Sequence, residues 1–146
     1  ALGVRTVVIR SGIVLDKAGG ALPLMALPFR LYGGGPIQPG TQWLSWIHIA
    51  DELGIILQAF ADERWRGPIN ATAPKPLTNR DFSAALGKAL HRPSWFPVPK
   101  FALNVALGEA AEMLTTGQNV IPAKARSLGY TFKYAEAKDA VADLLG

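Results

Sequence analysis

Cysteine is absent from the 146 residues, and histidine occurs only twice, at His48 and His91. The first absence removes a disulfide framework and any thiolate metal site. The second leaves too few imidazoles, too far apart, for a zinc centre, so no metal ligand is assigned. No apolar run approaches the ~20 residues that a membrane span requires, and no secretory signal pattern is visible. A cytoplasmic setting is the expectation. Internal repeats, low-complexity tracts and an obvious linker are also missing. Positive charge is in modest excess, 15 Lys+Arg against 11 Asp+Glu, for a net charge of +4. The basic residues are scattered along the chain rather than gathered between stacking aromatics, which argues against a nucleic-acid partner.

Apolar residues are plentiful. They make up 49% of the chain, and its mean hydropathy of +0.18 is high for a domain that covers its own surface. One face is therefore expected to meet another part of a longer protein. The start at Ala1 without Met also reads as a fragment, here a single unit over residues 1–146.

The run Val4 to Arg10 is β-branched at nearly every position, which predicts a parallel strand buried on both faces. Ser11 to Leu15 continues it, with Gly12 marking a kink or a close backbone approach by a ligand. Residues 21–32 read as a short apolar helix broken or ended at Pro28. Gly33-Gly34-Gly35 lacks the spacing of a phosphate-binding loop and is read as a turn. Gly67 to Pro74 predicts another short strand. Thr78-Asn79-Arg80-Asp81 looks like a capping box ahead of a helix buried through Phe82, Ala85, Leu86, Ala89 and Leu90. Further helices are expected from Lys100 to Thr115 (stopped by Gly117), from Pro122 to Leu128, and from Ala135 to Leu145.

The chain is organised around Gly40 to Phe60. Trp46, Ile47 and Ile49 favour extended backbone around His48. Asp51 is expected to cap a helix whose apolar face carries Leu53, Ile56, Leu57 and Phe60. Alternation puts Gln42, Leu44, Trp46 and His48 on one face of the strand, and Trp43, Ser45 and Ile47 on the other. Since one face must be core, at most one tryptophan is expected to meet a ligand. Gln42, Trp43, Ser45 and His48 are the candidate substrate-binding residues. His48 could serve as a base, since imidazole titrates near neutrality. No nucleophile is legible beside it, so a hydrogen-bonded structural role is expected. Tyr134-Ala135-Glu136-Ala137-Lys138 has the Tyr-x-x-x-Lys spacing in which a lysine lowers the phenol pKa. Only a short helix follows it, so no catalytic residue is assigned in this chain.

Three blocks of sequence share an order: Arg10-Ser11-Gly12-Ile13-Val14-Leu15, Gly19-Gly20-Ala21-Leu22, and Trp46-Ile47-His48-Ile49-Ala50-Asp51. With Gly67 to Pro74, Arg92-Pro93, Gly117-Gln118 and Leu128 to Phe132, they resemble the C-terminal half of an extended short-chain dehydrogenase/reductase. More narrowly, the likeness is to the NAD(P)-dependent epimerase family of the sugar-nucleotide type, and it covers essentially the whole chain. It implies an α/β fold with partial Rossmann strands in residues 1–75 and a mainly helical substrate lobe in residues 76–146. It also implies NAD or NADP as cofactor of the full-length protein, with the glycine-rich turn and catalytic tyrosine in an upstream half. The segment Arg10, Ser11, Gly12 and Ile13 would then lie near the nicotinamide, and no tight cofactor binding is expected of this chain alone. Ile13 stands where such epimerases commonly have Asn, and Leu44 where they have an Arg for the substrate phosphate. An apolar side chain cannot replace a bidentate phosphate clamp. The function expected is the substrate-binding lobe of an oxidoreductase or epimerase working by hydride transfer. The alternative is a non-catalytic cofactor- or partner-binding module on the same fold.

Overall fold

Gly12 divides the first extended run into two strands with different partners. In the computed structural model, which describes residues 3–115 and 117–146, β1 (Val7–Ser11) and β2 (Ile13–Leu15) flank it. β1 pairs in parallel with β5 (Gly67–Ala71), setting Arg10 opposite Asn70, while β2 pairs in parallel with β4 (Trp46–His48). The Gly12 amide donates to Ala71 O at 3.0 Å, and the next amide, of Ile13, donates to Ser45 O at 2.8 Å. A Cβ on Gly12 would sit 2.6 Å from Ser45 O, a backbone atom with nowhere to move. The close approach expected at this glycine therefore comes from the protein's own backbone. A short antiparallel pair, β3 (Trp43–Leu44) with β6 (Leu77–Thr78), completes the strands.

The expectation that the first strand is buried on both faces is corrected. Val7 and Ile9 are half-buried against Ile47, Ile55, Trp65 and Ile69, but Val8 is 49% exposed. Nothing among the described residues covers that second face.

Helix α1 (Ala21–Arg30) runs through Pro28 and ends two residues beyond it, slightly later than a proline break predicts. Helix α2 (Ile49–Ala61) starts earlier than expected. Its N-cap is His48, whose Nδ1 accepts the Ala50 amide at 2.9 Å. Asp51 lies inside the first turn and is buried. Its carboxylate accepts from Tyr130 Oη at 2.9 Å, Lys133 N at 2.8 Å and Tyr134 N at 2.9 Å. That anchor sets the helix rotation: Asp51, Ile55 and Ala59, each four residues on, face inward. Leu53, Leu57 and Phe60, expected in the core, are 53%, 68% and 78% exposed. Arg5 finishes the helix, its guanidinium donating to Ala59 O and Trp65 O at 2.7 and 2.8 Å.

Thr78 caps α3 (Asn79–Leu90) as its box predicts, its hydroxyl accepting the Asp81 amide and donating to Asp81 Oδ2. The long helix expected from Lys100 is two, α4 (Lys100–Leu107) and α5 (Ala110–Thr115). They are parted at Gly108, whose φ of 58° is cheap only for glycine. The stop expected at Gly117 has the matching positive φ of 68°, while residue 116 lies outside the described residues. Helices α6 (Ala123–Ser127) and α7 (Ala137–Leu145) close the chain. One core gathers Leu22, Phe29, Leu44, Trp46, Phe82, Leu86 and Val141 between α1, α3 and α7. A second lies under α2 and α6 around Trp65 and Ile69.

Candidate functional site

Where β1 and β2 change partners, their backbones part and leave a cavity of about 610 Å³. Its floor is Arg10, Ser11, Gly12 and Ile13, with Asn70 and Thr72 beside them from β5 and the residue that follows it. Trp43 and Ser45 form a second wall. Glu109 and Glu112, from the α4–α5 corner, and Gln118 and Val120 form the third. A crevice at the carboxyl ends of parallel strands, at the point where strand order switches, is where open α/β folds place their ligands.

Hydrogen bonds hold the third wall in place. Ser45 Oγ donates to Gln118 O at 2.6 Å and accepts from Val120 N at 2.9 Å. Thr72 Oγ1 donates to Val120 O at 3.4 Å, Asn70 Nδ2 to Ile121 O at 3.5 Å, and Gln118 N to Trp43 O at 3.2 Å. Beneath the floor, Ser11 Oγ donates to Glu52 Oε1 at 2.5 Å. Glu52 is 8% exposed and its Oε2 has no partner among the described residues. Desolvation pushes its carboxyl pKa above the ordinary range, against the opposing pull of the Ser11 bond.

Of the residues singled out in the sequence, the structure brings together Arg10, Ser11, Gly12, Ile13, Trp43 and Ser45. Trp43 is 41% exposed and Trp46 is 1%, so one tryptophan faces the cavity and one is core. Gln42 and His48 do not line it. Gln42 Nε2 donates to Ile37 O and Leu114 O. His48 is buried at the start of α2. Because Nδ1 accepts, Nε2 carries the ring hydrogen and donates to Asp143 Oδ2 at 3.0 Å. Tyr134 stacks on this imidazole at 3.9 Å and is itself bonded to Asp143, which raises its phenol pKa. A tyrosine acting as a base needs the reverse shift, and Tyr134 does not line the cavity. Sequence reasoning missed Asn70, Thr72, Glu109, Glu112, Gln118 and Glu52. The alternation Asn70, Thr72 along β5 was a usable signal, since both fall on one face opposite Arg10. The glutamates needed the break at Gly108 to be foreseen.

Cavity and topology define a class, the Rossmann-like extended short-chain dehydrogenase/reductases. The chain superposes on the structure of human epimerase family protein SDR39U1 (isoform 2) with NADPH at a TM-score of 0.90 and 40% identity, covering 97% of this chain and 48% of that one. For a nucleoside-diphosphate sugar epimerase from Corynebacterium glutamicum the TM-score is 0.77 at 35% identity, covering 99% and 27%. Epimerase family protein SDR39U1 homolog, chloroplastic, of Arabidopsis thaliana is 46% identical over 138 residues, 94% of this chain and 40% of the relative. Residues 98–144 match the family described as Domain of unknown function (DUF1731). The chain is thus similar to the C-terminal part of proteins named epimerase family proteins, and its fold is the Rossmann-like one of the extended short-chain dehydrogenase/reductases. It spans less than half the length of the curated relatives it matches.

Proposed function

We propose that this chain forms the substrate-facing wall of an NAD(P)-dependent epimerase or oxidoreductase, completed by an upstream cofactor-binding half. Residues 1–75 contribute partial Rossmann strands and residues 76–146 a mainly helical substrate lobe. The observation that carries this reading is the cavity at the β1–β2 partner switch, lined by Arg10 to Ile13 and faced by Trp43.

The residues there fit a nicotinamide. The Ser11 hydroxyl on the cavity floor is held in one orientation by Glu52. Arg10, Ser11, Gly12 and Ile13 would border that ring, which supplies a hydride acceptor or donor when bound. Trp43 offers a flat apolar face for the substrate, and Ser45 fixes the strap at Gln118 to Val120 that closes the cavity. The substrate is a sugar-nucleotide-like or other small hydroxy or carbonyl compound, and no nucleic acid or membrane takes part.

A second reading, a non-catalytic cofactor- or partner-binding module, is favoured by one observation: Leu44, buried in the core, stands where the resemblance expects an arginine for the substrate phosphate. Nicotinamide fluorescence on titrating NADPH into the full-length protein and into this chain separates the possibilities. The full-length protein is expected to bind and this chain alone not to bind tightly. Hydride exchange between labelled NADPH and a carbonyl substrate in the full-length protein favours the enzyme. Binding without any exchange favours the module, and absence of NADPH binding to the full-length protein refutes both.

A further inference from the structure

The lining of the cavity has a charge pattern that narrows what it accepts. Among the described residues its charged side chains are Arg10, on β1, Glu109, at the α4–α5 corner, and Glu112, on α5, one cation against two carboxylates. Its neutral donors are largely engaged with the wall itself. Ser45, Asn70 and Thr72 all donate to backbone carbonyls of the strap between Gln118 and Ile121. The amides of Gln118 and Val120 are bonded to Trp43 O and Ser45 Oγ. A diphosphate needs several charge-assisted donors converging on its oxygens, commonly from arginines or a run of free amides. This wall presents carboxylates and amides already in use. Leu44, next to Trp43, is buried in the core and offers nothing to an anion. What remains accessible is the half-exposed indole of Trp43, with the Arg10 guanidinium on the floor and the Gln118 side chain and the two carboxylates on the facing wall.

Resting on the assignment of this cavity as the substrate site, we propose that it takes an uncharged or cationic hydroxy or carbonyl compound with a flat apolar portion seated on Trp43. Nucleoside diphosphates are turned away by the Glu109 and Glu112 wall. Electrostatic complementarity of this kind selects partners chiefly by penalising the wrong charge.

The test uses the full-length protein with NADPH bound, so that cofactor binding is verified for every variant first. UDP-glucose is the anionic probe and acetophenone the neutral one, each followed by quenching of tryptophan fluorescence, with Trp43→Phe as the reference. Acetophenone should quench the native protein saturably, and Trp43→Phe should lose most of that signal. UDP-glucose should bind at least tenfold more weakly than acetophenone. Because both glutamates are exposed, Glu109→Lys/Glu112→Lys should keep the fold and gain at least tenfold in UDP-glucose affinity. Micromolar binding of UDP-glucose to the native protein, no gain in the double variant, or acetophenone quenching unchanged in Trp43→Phe would each overturn the proposal. Loss of NADPH binding in the native protein would instead bring down the site assignment beneath it.

Discussion

The carboxylate of Asp51 accepts from a phenol and two backbone amides 79 to 83 residues away. Asp51→Ala strands all three donors in a buried place. An unsatisfied buried donor costs ~1–3 kcal/mol, so the variant should lose about 3 kcal/mol or more of stability, read as a lower urea midpoint. A loss under about 1 kcal/mol would show that the anchor is dispensable. Glu52 behaves differently. Its folded pKa is raised by desolvation, so the folded state holds a proton that the unfolded state has already released. Stability therefore falls as pH rises from about 4.5, the unfolded value, through the raised folded one, and stays lower above it. Glu52→Gln keeps the Ser11 partner and removes that fall. Its urea midpoint should decline less between pH 4.5 and 8 than the native one, and parallel curves would refute the assignment. Asp143 has the opposite sign: the hydrogen bond from His48 holds its carboxyl low. Its contribution is present above about 3.8 and disappears as pH falls further. None of these three roles was legible beforehand. Asp51 and Glu52, in the first turn of a helix, look the same in sequence whether they cap, anchor or bury, and Asp143, in the last turn of α7, carries no local mark at all. What distinguishes them is a partner 41 to 95 residues away.

Elements whose signals are local were readable, and those fixed by distant contacts were not. The Thr78 box and the closing helix both depend on neighbours a few positions apart. The buried face of α2 does not. Leucine and phenylalanine at helical spacing suggested Leu53, Leu57 and Phe60, yet Asp51 and the Glu52–Ser11 bond turn Ile55 and Ala59 inward. Substitution separates the two faces. Ile55→Ala removes a fully buried side chain and should cost ~2–5 kcal/mol, whereas Leu57→Ala, on the exposed side, should stay within about 0.5 kcal/mol. The reverse order in chemical denaturation would restore the face inferred from spacing. The site was only partly visible for a similar reason. Alternation grouped Trp43 with Ser45 and Gln42 with His48 without deciding which face lines the cavity, and Glu109 and Glu112 depend on a chain reversal at a single glycine.

On the scale of the whole molecule, the surfaces left open cluster along one side of the α2–β1 layer. β1 is paired only with β5 among the described residues, which leaves its other edge with unpaired backbone donors and acceptors. Val8 is 49% exposed, and Phe60 at 78% borders a shallow hollow formed with Val7, Ile9 and Ile56. In the full-length protein we expect the upstream half to cover this side. For the chain by itself the expectation is self-association through the same strand. Each 100 Å² of apolar surface removed from water is worth about 2.5 kcal/mol, so a few hundred Å² can outweigh much of the entropy lost on pairing two chains. Sedimentation equilibrium at micromolar concentration should find a dimer or larger species. Val8→Lys puts a charge on the open face and Phe60→Lys another beside the hollow, and together they should shift the equilibrium toward monomer by at least tenfold. Fusing the upstream half should do the same without any substitution. A folded monomer at tens of micromolar, or association indifferent to both lysines, would place the contact elsewhere and leave this strand edge stable in water.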